Sequence, residues 1–375
     1  MTGKKSSDKP FSRRSFLRNS AALGLGLAAS PARVSRAFSS SGELNYMGWS
    51  GYKFDDIFQK FTNKTGIRIN FIDQPDQDAM LAQARLAAQT AAADMAEPSI
   101  DRLPGWVDND LVQAWDDGNI SIDAYDKAFL TQSGMVKGRR YFLPIVWGTE
   151  ALTYSIKEAP ETYGMATLGD LFDPRFTGKV TLRAHSALAA MGRVLEEQGK
   201  LPKPWLDSYK DEASMRQLWD IALAEAVKHK ANVAQFWSSE NDAQSAFRTN
   251  GCTLGLTWDS TAQNLANDGF GFIAPKEGAF GWLQGYVLLK AARNVEQAQE
   301  WAKFIATPEG SAAYATAFSA NPTVSGAIDL VDAKVKEFYR RAYPGDALSK
   351  IWWWPAQPGW FVTLRSEYAD KWRAA

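Results

Sequence analysis

An alternation of strand and helix patterns starting at residue 43 limits the folds open to this chain more than any other feature. "ELNYMGW" at 43–49 reads as a strand, "KFDDIFQKFTNKTG" at 53–66 as an amphipathic helix stopped by Gly66, and "IRINFI" at 67–72 as an alternating strand. A second helix, "DAMLAQARLAAQTAAA", follows, and "RRYFLPIVWGTEALTYS" at 139–155 reads as a long apolar strand region interrupted only at Pro144. Strand–helix–strand units bury both sheet faces under helices, so the expected class is α/β with mostly parallel sheets.

The pattern resumes in the middle of the chain with strands in "GKVTLRAH" and "CTLGLTW", the latter entered through the turn "TNG" at Thr249 to Gly251. A second sheet is expected. Helical spacing returns in "NVEQAQEWAKFIA". The segment "TPEGSAAYATAF" starts another helix, with Thr307 as N-cap, Pro308 at its first position and Glu309 in its first turn. At 375 residues the chain exceeds what one core usually serves, which suggests two lobes.

Residues 1–37 have a different character. A basic segment, "SRRSFLR" at Ser12 to Arg18, precedes the weakly apolar "AALGLGLAAS" and the small-residue stretch "SRA" at Ser35 to Ala37. This is the layout of an export signal, and the pair Arg13 and Arg14 followed by Phe16 and Leu17 matches a Tat signal. Pro31 and Arg33 end the apolar run too early for a membrane anchor. A mature exported protein starting near Phe38 is expected, located in the periplasm.

The leader holds eight basic residues and one acidic residue of the 42 of each sign, leaving 34 basic and 41 acidic, a net of −7. Nucleic acid is therefore not an expected partner. Cys252 is the sole cysteine, so neither an intrachain disulfide nor a lipid-modified cysteine near residues 30–40 is available.

Catalytic constellations are missing. His185 and His229 are the only histidines and belong to no metal-binding spacing, no GxSxG elbow or phosphate-binding loop occurs, and "GFGFIA" matches a dinucleotide fingerprint at two glycines alone. No enzymatic activity, metal or cofactor is expected. Fifteen tryptophans are another matter, because aromatic residues beyond the needs of a core often line a binding site. "FGWLQGYVLL" at 280–289 puts Trp282 and the neutral amide of Gln284 at the mouth of a buried-type strand.

Seven segments in order, "LNYMGWSGY", "FTNKTGIRI", "PIVWGTEAL", "LGDLFDPRFTGKV", "FRTNGCTLGLTW", "APKEGAFGW" and "ATPEGSAAYA", span nearly the whole chain after the leader. Together they resemble the periplasmic spermidine/putrescine-binding family of ABC-transporter receptors. The resemblance implies a type II periplasmic binding protein: two α/β lobes joined by crossing strands, closing on a small ligand in an interlobe cleft and delivering it to an ABC permease. It places lobe one at 41–146 plus 284–330 and lobe two at 147–283 plus 331–375. A monomer is expected.

Motif for motif, Trp49, Tyr52, Trp258 and Trp282 fall on that family's aromatic cleft positions. The acids that hold ammonium groups do not carry over. Gly51 and Gln284 stand where acids are common, and "TLRAHSAL" lacks the usual acidic pair, with Asp101 as a candidate substitute.

Burying a diammonium without paired carboxylates costs several kcal/mol per ion. A methylated onium has no N–H to satisfy and binds tryptophan faces. The ligand expected is a zwitterion of the dimethylsulfoniopropionate or glycine betaine kind, with Arg183 and His185 as partners for its carboxylate. A polyamine or an ω-amino acid such as 4-aminobutyrate is the runner-up, and an exported lyase or hydrolase is the rival from another class. Trp354, in the irregular "IWWWPAQPGW" at 351–360, either edges the cleft or pins the C-terminal segment to lobe two.

Overall fold

The computed structural model describes residues 42–132 and 134–375, and the expected leader lies outside them. The described residues form one compact unit. Its first strand, β1 (Glu43–Trp49), is followed by helix α1 (Asp55–Thr65), which ends where Gly66 takes a left-handed conformation at φ 77°. Strand β2 (Arg68–Gln74) then pairs parallel to β1 along its whole length, completing the unit read from the sequence. Helix α2 (Gln77–Thr90) is capped by Asp76, whose carboxylate accepts from the amides of Asp78 and Ala79. Strand β3 (Met95–Ala96) adds parallel on the other side of β1.

The long strand β4 (Leu143–Ser155) passes through Pro144 without a break. Pro144 pairs with Gly285 at a bulge and sits where a missing amide is tolerated. Strand β5 (Val180–Leu182) is shorter than its apolar pattern suggests, because helix α3 (Ala184–Glu197) begins at once behind Arg183. Strand β6 (Val233–Phe236) and strand β7 (Leu254–Trp258) flank β5 in parallel, and the short helix α4 (Asp259–Leu265) continues from β7.

Strand β8 (Phe280–Leu289) leads to helices α5 (Val295–Ile305) and α6 (Pro308–Phe318), and helix α7 (Gly359–Ala374) ends the chain. Thr307 caps α6 as expected, accepting from the amide of Gly310.

The strands run in the order β2-β1-β3-β8-β4-β7-β5-β6. The expectation of mostly parallel sheets is corrected at the centre, where β8 pairs antiparallel with β3 and β4, and β4 antiparallel with β7. The reason is geometric. A strand that leaves one sheet for another must come back, so two crossing strands side by side run in opposite directions.

The two largest apolar cores among the described residues lie along these strands. Leu143 and Val146 of β4 and Tyr286 and Leu288 of β8 pack with Leu44, Phe61 and Trp301. Leu152 of β4 and Phe280 of β8 pack instead with Leu182, Leu188, Trp219 and Trp372. Each crossing strand is buried at both ends in different cores, which fixes the sheets to each other while leaving a cleft between them.

Candidate functional site: an aromatic cleft with an arginine end

A cavity of about 370 Å³ opens where the strand ends of both cores meet, a size ordinary for small-ligand sites. All nine residues singled out in the sequence line it, brought from segments nearly the whole length of the chain apart.

Trp49 closes β1, and its indole N–H donates to the Glu97 carbonyl at 2.8 Å. Tyr52 follows in the turn and stacks on Phe318 at 4.2 Å between ring centres, with its hydroxyl 3.4 Å from the Ser260 hydroxyl. Burial raises its phenol well above the ordinary range, so it stays neutral. Phe318, at the end of α6, lines the cavity and was not singled out by sequence reasoning.

Trp282 and Gln284 lie on the same face of β8, two residues apart. Trp282 pairs across the sheet with Gly148, where a Cβ would stand 2.3 Å from the indole ring. That glycine leaves the ring the room it occupies against β4. The Trp282 indole nitrogen is buried and has no acceptor among the described residues. Gln284 is 5% exposed and sits at the bulge of β8.

Trp258 ends β7 in edge contact with Trp237 at 4.8 Å. The Arg183 guanidinium lies 5.1 Å from the Trp258 ring centre and 5.2 Å from that of Trp237. Arg183 also donates to the fully buried carboxylate of Glu150 at 2.6 Å and to the Ser186 hydroxyl at 3.0 Å. Its charge is therefore already matched, and one face of Trp258 already carries a cation. His185, in the first turn of α3, is held neutral because burial foremost, then Arg365, Arg183, Arg102 and Arg373, push its imidazole well below the usual range.

Of those arginines the sequence reading singles out Arg183 alone, and together they give the cavity a second character. Four arginines and four aspartates line it. Arg102 pairs with Asp78, Arg373 with Asp370 at 2.7 Å, and Asp76 caps α2. Asp101 is buried among Arg102, Arg365 and Arg183; burial raises its pKa, and those cations partly offset the rise. Each aspartate thus faces an arginine or a helix N-terminus. Asp259, beneath the aromatic wall, accepts from the Thr149 amide at 2.9 Å, the Tyr339 hydroxyl at 2.6 Å and the Ser260 amide, and burial pushes it up to about 7.

Trp354 stacks on Phe280 at 4.7 Å and donates its backbone amide to the Gly281 carbonyl at 3.0 Å. It both edges the cavity and packs against the core of β5 and α3. Three residues on, Gln357 donates its amide to the Asp101 carbonyl and accepts from Arg365. The irregular segment thereby ties α7 to the opposite side of the cleft. No group of metal-ligating side chains occurs among the described residues.

The sequence profile of bacterial extracellular solute-binding proteins matches residues 56–338. The spermidine/putrescine-binding periplasmic protein of Escherichia coli (strain K12) is 22% identical over 361 residues, covering 94% of this chain and 96% of that protein. A spermidine/putrescine ABC transporter substrate-binding protein from Streptococcus pneumoniae superimposes with a TM-score of 0.72 at 19% identity, over 88% of this chain and 98% of that one. A GABA receptor superimposes with a TM-score of 0.64 at 18% identity, over 88% and 97%. The superpositions show the two-lobed, type II fold, and in this chain β4 and β8 are the strands that cross between cores. The chain belongs to the bacterial extracellular solute-binding proteins and serves as a substrate-binding protein.

Proposed function

We propose that the protein is the periplasmic receptor of an ABC importer for a small methylated onium zwitterion, of the dimethylsulfoniopropionate or glycine betaine kind. The observation that carries this reading is the state of the carboxylates. Asp78 and Asp370 pair with arginines, Asp76 caps a helix and Asp101 lies among Arg102, Arg365 and Arg183, so the aromatic wall of Trp49, Tyr52, Trp282 and Phe318 offers a cation no lining aspartate free of a neighbouring arginine or helix N-terminus.

A primary ammonium buried there would lack acceptors, whereas an onium without N–H groups needs only ring faces. The lining has as many arginines as aspartates, which suits a ligand of zero net charge better than a dication. Relatives named for spermidine and putrescine favour a polyamine as the second reading.

In this reading the lobes are 41–146 plus 284–330 and 147–283 plus 331–375, the monomer hands its ligand to a membrane permease, and Arg13 and Arg14 direct folded export through the Tat route. Replacing both arginines by lysine is expected to leave the precursor in the cytoplasm. Calorimetric titration of the mature protein against glycine betaine, dimethylsulfoniopropionate, 4-aminobutyrate, putrescine and spermidine tests the ligand class. Binding of an onium zwitterion is expected, and tight polyamine binding with no onium zwitterion bound overturns the reading.

A further inference from the structure

Arg365 is the cleft arginine that makes no ion pair among the described residues, although Asp78 and Asp101 act on it from beyond contact distance. It stands on the inner face of α7 and is 8% exposed, and among the described residues no carboxylate lies within ion-pair distance of it. Its Nη1 donates to the Gln357 side-chain oxygen at 2.7 Å, while its Nε is buried without an acceptor. Burial, with Arg102 nearby, lowers its pKa to about 9. A guanidinium so short of acceptors is costly in a folded protein unless something else supplies them.

We propose that Arg365, and not Arg183, holds the anionic group of the ligand. Arg183 is committed to Glu150, Arg102 to Asp78 and Arg373 to Asp370, so among the described residues the cleft guanidinium that meets no carboxylate at ion-pair distance is that of Arg365. A planar carboxylate accepts two parallel N–H bonds from such a fork. Arg183 and His185, both lining the cavity, lie at the N-terminus of the 14-residue helix α3, where the helix field also favours negative charge, and a neutral imidazole keeps one N–H to donate.

The ligand would then lie with its cationic end among Trp49, Tyr52 and Trp282 and its anionic end at α7. This rests on the zwitterion reading for the cation alone, since the Arg365 subsite requires just an anionic group.

The test uses two ligand pairs that share a cationic end and differ in the carboxylate: glycine betaine with choline, and 4-aminobutyrate with butylamine. They are titrated into the mature protein and into Arg365→Gln and Arg365→Met, with melting temperatures to establish that the variants fold. Two replacements are used because an apolar side chain of similar length often substitutes for a buried charge without loss of fold.

The parent is expected to prefer the carboxylate member of a pair about 10- to 100-fold, and both variants to lose that preference. A folded variant that keeps the full preference overturns the assignment, even if betaine binds. Arg365-dependent preference within the 4-aminobutyrate pair, with no betaine binding, retains the assignment and removes the onium reading. Binding of putrescine or spermidine with neither carboxylate ligand bound overturns both.

Discussion

Arg183 donates to Glu150 at 2.6 Å while its guanidinium covers the ring of Trp258, so a single residue both neutralises a buried acid and occupies an aromatic face. Glu150 is fully buried; burial raises its pKa, and Arg183 and the Ser186 hydroxyl oppose the rise. Breaking such a pair from one side strands the other charge, at a cost of about 3 to 5 kcal/mol. Arg183→Ala is therefore expected to lower stability by that order in denaturant titration. Retention of parental stability would mean that Glu150 takes up a proton with no penalty and that the pair contributes nothing to the fold.

The close approach of Gly148 to Trp282 gives a prediction about affinity. Trp282→Ala should weaken ligand binding by about 1 to 2 kcal/mol or more, the worth of a desolvated cation–π contact with its packing, and Trp282→Leu should not restore it. Gly148→Ala keeps the indole but puts a methyl group 2.3 Å from it and 2.4 Å from an Asp259 oxygen, so the ring must tilt. It should weaken binding as well, in calorimetric titrations of folded protein. If leucine serves as well as tryptophan at 282, the site reads apolar area and not ring faces.

Much of this was legible in the sequence, and what was not had a physical cause. The β1–α1–β2 unit, the Gly66 stop, the Thr307 cap and strand β8 follow from local periodicity and chemistry, which a single sequence displays. The antiparallel crossing of β4 and β8 does not, because pairing direction depends on where a strand goes after leaving its sheet. For Arg365 the sequence does hold a signal. Phe361, Leu364, Arg365, Tyr368 and Trp372 form one buried stripe, and an arginine on an apolar helix face asks for a reason. Arg102 carried no such signal, since its burial comes from contacts distant in sequence.

A pH prediction comes from Glu97, behind the aromatic wall. Its Oε2 accepts from the hydroxyls of Tyr46 and Tyr314, the latter at 2.8 Å, and burial raises its pKa from 4.5 to about 8 against those bonds. A carboxyl raised on folding stabilises the fold fully below its unfolded pKa and loses that contribution as pH rises through the folded value. Stability should thus fall between about pH 4.5 and 8, at no more than about 1.4 kcal/mol per pH unit from this group. Glu97→Gln, neutral throughout, should flatten the slope in denaturant titrations run across that window. A slope identical to the parent's would assign the dependence to other groups.

The last prediction concerns closure, and it turns on Tyr52 and Ser260. Tyr52 packs with the core of β1 and Ser260 belongs to α4 behind β7, so their 3.4 Å contact spans the cleft. A contact made across the cleft is lost when the lobes part, and a ligand touching both sides favours the form in which they meet. Saturating ligand is therefore expected to reduce the radius of gyration in small-angle scattering. Tyr52→Phe removes the hydroxyl but keeps the ring stacked on Phe318, so it should weaken the closed form by about 0.5 to 1.5 kcal/mol, read as an affinity loss of about 2- to 10-fold. Because that loss acts on closure and not on ring contact, the onium and its carboxylate-free analogue should weaken together. A change confined to one of them would place the Tyr52 hydroxyl on the ligand, and unaltered dimensions with ligand bound would mean that the cleft fills without closing.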